Sequence, residues 1–265
     1  MNQTERRMLE ILKELRDEYN VLAIKAEFEA EGSRTDELVQ LNEVIFRADM
    51  QLYIKIGGCE AVRDLDQCRL LGATGIMAPM IETPFAMKKY IGAAKKVYGD
   101  AVGEISWIIN AETKTCRQNL DDVLAEGKGF LNVVSIGRVD LSASMGLTRK
   151  EINSDVVFEA AKDIAERSRK AGMLVNFGGG ITFEAIPFIR EMAPYVDRFE
   201  TRKVVFGIMD DEKKLEHGIL RAMEFESLYL KNKCDYYNRM AKEDEQRMQM
   251  FAERLEQAKK RLGVE

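Results

Sequence analysis

The chain is poor in the residues that most often announce a chemistry. Its 265 residues include one histidine, His217. Histidine-rich zinc sites and the H-E-x-x-H motif are therefore excluded, and a Ser-His-Asp triad would have to use His217 itself. That residue lies in the charged segment DEKKLEHG, which reads as a solvated helix start. The four cysteines, Cys59, Cys68, Cys116 and Cys234, form no C-x-x-C pair. They point to neither a disulfide framework nor structural zinc, but to thiols in a reducing cytosol. No G-x-G-x-x-G opens a helix, which weakens a dinucleotide-binding reading. No apolar run approaches the ~18 residues of a membrane span. The start, MNQTERRMLEILKEL, is charged and amphipathic, unlike a secretory signal. Acidic and basic residues are mixed, with a net charge of −5 and no basic block, so no nucleic-acid partner is expected.

What is present is a large apolar share, 46%, which suffices for a sizeable core. Short runs rich in β-branched residues, at 21–28, 52–58, 75–81, 105–112, 131–137, 173–179 and 199–206, alternate with amphipathic stretches at 35–46, 61–71, 83–97, 116–125, 153–171 and 183–192. Strand then helix, repeated, is the pattern of parallel α/β architecture. With the chain near the ~250 residues of a (β/α)8 TIM barrel, that fold is expected for residues 1–210, with an N-terminal helix over 1–20. Seven strands are readable, so either that helix replaces one or a short strand is hidden near the chain end. Several runs end on polar residues, among them Glu27, Lys55, Glu112, Asp140 and Asn176. Barrel sites are built at such strand ends.

Residues 211–265 differ. Ala241, Met248, Leu255 and Leu262 recur at heptad spacing, with Phe251 and Ala258 between them and Asp244 interrupting. A helix with such a stripe must pack on the barrel or on another subunit, and a homo-oligomer contact through this extension is the favoured reading.

Alternation along 105–113 places Asn110 and Glu112 on one strand face, and Asp140 follows the next strand on a tight loop. Two carboxylates at a barrel mouth suit a hard divalent ion, Mg2+ or Mn2+, whose shell a 2-oxo acid could complete. The bland reading is a helix cap for Asp140 and a surface ion pair for Glu112. Gly178-Gly179-Gly180 fits either an anion cradle or a tight strand-to-helix turn. Glu200-Thr201-Arg202-Lys203 reads as ordinary charged surface, with a second substrate-binding edge as the alternative.

The segments KIGGCEAVRDL, GATGIMAPMIET, INAET and SIGRVDLSASMG resemble the HpcH/HpaI aldolase–citrate lyase family over about residues 21–180. In that family a strand ending Q-I-E-T and a loop of the form G-P-A-D-L-S-A-D-M-G each supply a metal ligand. The resemblance puts Glu112 and Asp140 at those positions. It implies carbon–carbon bond cleavage through a pyruvate-like enolate on a small 2-oxo acid, in a cytoplasmic enzyme that exchanges C-terminal helices between subunits. The chain also departs from the family pattern. Phe28 stands where the family carries a proton-transferring His, Lys55 stands for an enolate-steadying Arg, Asn110 for Gln, and Arg138 for a Pro. The expected site is therefore Lys55, Glu27 and Arg138 in catalysis, Asn110, Gly137 and Asn176 around the substrate, and Glu112 and Asp140 on the metal. Glu29, Glu60 or Lys25 are alternative acid/base groups, and Lys25 or Lys55 a remote Schiff-base nucleophile. A CoA-thioester lyase of the citryl or malyl kind, and a barrel that binds a sugar acid or phosphorylated ligand without turnover, are the other readings.

Overall fold

The computed structural model describes residues 1–264. Helix α1 (Gln3–Glu18) precedes strand β1 (Val21–Glu27). Then α2 (Thr35–Arg47) leads to β2 (Gln51–Lys55), α3 (Val62–Leu70) to β3 (Gly75–Ala78) and α4 (Pro84–Tyr98) to β4 (Ser106–Ala111). Helices α5 (Lys114–Gln118) and α6 (Leu120–Glu126) lead to β5 (Val133–Gly137), α7 (Arg138–Ser144) and α8 (Asp155–Lys170) to β6 (Leu174–Gly178), and α9 (Ile186–Met192) to β7 (Arg198–Glu200). Strand β8 (Val204–Gly207) and helix α10 (Glu212–Leu262) end the chain. The eight strands close into a barrel in sequence order.

The missing strand lies inside the last apolar run. Residues 199–206 are two strands rather than one, and β8 pairs antiparallel with both β7 and β1. Thr201-Arg202-Lys203 is too polar to continue a buried strand, so the chain turns there. Thr201 and the Lys203 N–H both bond Glu226 of α10, and Arg202 reaches Glu31. The turn leaves the Lys203 side chain buried against Glu31, at 2.6 Å, and over the Tyr229 ring. Burial alone would raise the Glu31 carboxyl, but the charges of Lys203 and Arg202 hold it below its ordinary value. The unfolded chain therefore takes up this proton first. The pair's stabilisation is full above the ordinary glutamate range and is lost as pH falls through the folded value. Glu31→Gln should cost ~3 kcal/mol at neutral pH, because it strands a buried ammonium. It should also flatten the acid limb of stability, both read from urea melts over a pH series. A variant whose acid limb matches the wild type would remove Glu31 from that account.

Reversal of β8 also redirects α10. A helix after a parallel strand returns down the barrel, whereas α10 starts at the bottom and climbs antiparallel to α1. Arg221 pairs with Glu14, Glu224 with Arg7, and Asn232 with Asn2 at the upper rim. Leu215, Ile219, Ala222 and Phe225 are core. A boundary at 211 therefore needs correction: the first half of α10 belongs to the barrel body.

Inside the barrel, Ala23, Tyr53, Met77, Ile108, Val133 and Val205 form an apolar plug. One step up, six of the strands turn the lining polar, with Lys25, Lys55, Asn110, Ser135, Asn176 and Glu200. The plug seals the bottom, so this polar layer opens only toward the C-terminal mouth.

Candidate active site

Strand β4 supplies the centre of the mouth. Its alternation sends Trp107, Ile109 and Ala111 out to the helix layer and Ile108 and Asn110 inward. Glu112 follows on the inward side and is 1% exposed. Its Oε2 accepts from Asn110 Nδ2 at 2.8 Å and lies 3.5 Å from Lys55 Nζ, while Oε1 accepts the Met80 N–H at 3.1 Å. Met80 holds that N–H in place with a left-handed backbone, φ 52°, unusual for a non-glycine residue. Gly137 leaves room beside the same carboxylate: a Cβ there would stand 2.8 Å from Glu112 Oε2. Burial raises the Glu112 carboxyl above its ordinary value, Lys55 opposes this, and the charge of Asp140 adds to it. Asp140 itself sits exposed in the first turn of α7.

Lys55 is buried, with Glu29 Oε2 2.7 Å from its Nζ. Burial alone would lower its pKa, but Glu112 and Glu29 outweigh that and raise it. A Schiff-base lysine needs the opposite shift, so Lys55 serves as a fixed ammonium.

A second cluster fills the far side of the layer. Lys25 forms an ion pair with Glu200, and Asn176 Nδ2 lies 2.8 Å from both Glu200 Oε2 and Ser135 Oγ. Asn110, Ser135 and Asn176 stand in register across β4, β5 and β6. The Oδ1 atoms of Asn110 and Asn176 are buried without a partner among the described residues. Leaving such atoms unpaired costs ~1–3 kcal/mol each, so both are acceptors free for a hydroxyl, a water or a cation. Glu27, inward at the end of β1, makes no side-chain hydrogen bond or ion pair among the described residues, and burial raises its carboxyl.

The structure corrects the expectation for Arg138. This residue is fully buried and faces away from the mouth. Its Nε and Nη2 donate to the carbonyls of Gly178 and Gly179, Nη1 donates to Asn153 Oδ1 at 2.8 Å, and its plane lies 4.2 Å from the Phe188 ring centre. Arg138 therefore ties the start of α7 to the turn after β6. Gly179 packs against that same start, where a Cβ would meet Val139 N at 2.9 Å, as a tight turn requires. Phe28, at the position of the family His, packs against the core. Sequence reasoning left Glu200, Ser135 and the Met80 N–H out of the site. The one available signal was period-two alternation in Arg198-Phe199-Glu200, which places Glu200 inside the barrel.

These residues fit a hard divalent ion. Glu112, just after β4, and Asp140, in the first turn of α7 after β5, are oxygen donors, Asn110 Oδ1 is unpartnered among the described residues, and Gly137 leaves space beside Glu112. Among the described residues no three His, Cys, Asp or Glu side chains gather into a ligand set. Water and substrate oxygens would therefore complete any shell.

The family model for HpcH/HpaI aldolase/citrate lyase matches residues 37–178, more than half of the chain. No curated protein matches the chain in sequence. Solved structures do. An HpcH/HpaI aldolase from Desulfitobacterium hafniense DCB-2 superposes with TM-score 0.61 at 15% identity, over 84% of this chain and 88% of the other. An HpcH/HpaI aldolase/citrate lyase family protein from Burkholderia cenocepacia J2315 gives 0.58 at 14%, over 72% and 91%. RipC from Yersinia pestis gives 0.50 at 12%, over 77% and 87%. At such identities these likenesses speak to the fold alone.

Proposed function

Because the chain belongs to the HpcH/HpaI aldolase/citrate lyase family, a family of lyases, we propose that it is a divalent-metal-dependent carbon–carbon lyase acting on a 2-oxo acid. The observation that supports this best is the buried Glu112 carboxylate beside the Lys55 ammonium, with Asp140 at the next strand end. Glu112 and Asp140 would hold the ion, Mg2+ or Mn2+. The chemistry the ion supplies when bound is Lewis-acid polarisation of a carbonyl oxygen. The rest falls to the chain's own groups. Lys55 offers fixed positive charge to the oxygen that turns negative when a bond next to the carbonyl breaks. Asn110 Oδ1 and Asn176 Oδ1 accept from substrate hydroxyls. Glu27, unpaired and with a raised pKa, carries the proton. The cytoplasmic location read from the sequence belongs to this proposal. No helix among the described residues is long and apolar enough to cross a membrane.

The test is deuterium exchange into the methyl protons of pyruvate, followed by NMR with and without Mg2+ or Mn2+. Exchange that requires the ion is expected, with a loss on the order of 100-fold or more in Asp140→Asn. A wild-type protein that binds Mn2+ yet exchanges nothing would sink the proposal. Phe28 motivates the second reading, a barrel that binds its ligand without turnover, and tight pyruvate binding with no exchange would select it.

A further inference from the structure

Glu112 and Asp140 are held in different ways. The Glu112 carboxylate is oriented by Asn110 Nδ2 and by the Met80 N–H. The Asp140 carboxylate is exposed and has no hydrogen-bond or ion-pair partner among the described residues. It therefore stands wherever the first turn of α7 puts it. That turn has little hold of its own. Helix α7 is seven residues long, and Gly137 before it supplies no side-chain cap. So short a helix is unstable without outside contacts, and a missing cap leaves its first N–H groups without side-chain support. Leu141 and Ser142 anchor its middle by burial. Its start is anchored by Arg138.

Arg138 grips segments that lie far along the chain. Nε and Nη2 donate to the Gly178 and Gly179 carbonyls at 3.2 and 2.6 Å. Nη1 donates to Asn153 Oδ1, in the segment between α7 and α8, and Asn153 Nδ2 donates in turn to the Glu184 carbonyl at 3.2 Å. The guanidinium carbon lies 5.4 Å from the Phe177 ring centre and 4.2 Å from that of Phe188. A planar fork bonded through three N–H groups and pressed against two rings has little freedom left. The arrangement is costly. Arg138 is fully buried, and no carboxylate pairs with it among the described residues. Burying an unpaired cation is unfavourable. Its charge also opposes a second cation at Asp140, two residues on. An apolar side chain would fill the same space without either penalty. What it would lack is the fork.

We propose that Arg138 is a positioning residue for Asp140. By tying the first residue of α7 to the turn after β6, it fixes the backbone from which Asp140 projects, and so sets the affinity of the mouth for a divalent ion. It acts through the backbone, without touching ion or substrate. Asn153 belongs to the same clamp. This assignment rests on the reading of Asp140 as a metal ligand given above. The sign of the effect separates a clamp from a charge. As a charge alone, Arg138 weakens cation binding, and its removal tightens it. As a clamp it strengthens binding, and its removal weakens it.

Mn2+ binding, read from the EPR signal of the free ion, tests this without turnover. The wild type should bind Mn2+, and Asp140→Asn should lose most of that binding. Arg138→Met should weaken binding by ~10- to 100-fold, the range for removing a group that orients a ligand. Asn153 is an exposed residue, so Asn153→Ala removes one hydrogen bond of the clamp with little risk to folding. It should weaken binding by about two- to tenfold, and it decides the matter if Arg138→Met does not fold. Leu12→Ala is the control for lost stability, since it opens a cavity at a buried position of α1 in the helix layer. It should leave Mn2+ affinity within about twofold of wild type. Unchanged or tighter binding in either folded clamp variant overturns the inference and leaves the metal reading in place. An equal loss in Leu12→Ala overturns it too, because the effect would then be one of general stability. A wild type that binds no Mn2+ overturns the metal reading, and this inference with it.

Discussion

Lys25→Met is expected to lower the free energy of unfolding by about 3–5 kcal/mol, the range for removing one member of a buried ion pair. Lys25 and Glu200 are 9% and 5% exposed, and Glu200 would keep only Asn176 as a partner. Methionine fills similar space, so the loss would reflect a stranded carboxylate more than a cavity. For a chain of this size the midpoint should fall by roughly 10 °C. The companion variant carries the argument. Glu200→Gln in the Lys25→Met background removes the stranded charge while an amide oxygen still accepts from Asn176. Most of the loss should return, with a coupling on the order of 2–3 kcal/mol in the double-mutant cycle. Additive losses would mean that the two residues stabilise the barrel separately.

Those two residues also show how far the sequence could be read. Lys25 lay in a well-formed strand, and its inward side follows from alternation. Glu200 lay beside a turn hidden inside what looked like one continuous strand. Two strands of three and four residues around a three-residue turn leave almost the same apolar pattern as a single strand. Only the polar Thr201-Arg202-Lys203 marks the break. The inward side of Glu112 was legible because period-two alternation in β4 fixes it relative to Asn110, whereas its pairing with Asp140 as metal ligands is what the family resemblance implies. Arg138 was misread for a reason that spacing alone could have exposed. It opens α7 two residues before Asp140, and two residues along a helix turn by about 200°. A pair so spaced cannot face the same mouth, so with Asp140 turned to the mouth Arg138 is turned into the core. The heptad stripe at the C-terminus was readable, whereas the upward course of α10 depends on the direction of β8, a property no local pattern encodes.

Glu27→Gln should separate proton transfer from ion and substrate binding. Phe28 at the family's His position leaves the mouth without an imidazole, and Glu27 is the inward carboxyl there with no partner of its own among the described residues. Its replacement should lower the rate of pyruvate proton exchange by about 100- to 10,000-fold, the usual range for a general base. Binding of Mn2+, which the proposed function assigns to Glu112 and Asp140, should stay within about twofold of wild type, since both residues remain. The pH profile supplies a readout that a merely structural role would not move. Burial raises the Glu27 carboxyl, so its basic form fills only at a pH above the ordinary glutamate range. Exchange should therefore rise with pH across a step displaced upward from that range. The small residual rate of Glu27→Gln should lack this step. If the step persists in the variant at the same pH, the proton is carried by another group, and Glu29, which borders Lys55 at 2.7 Å, becomes the residue to replace next.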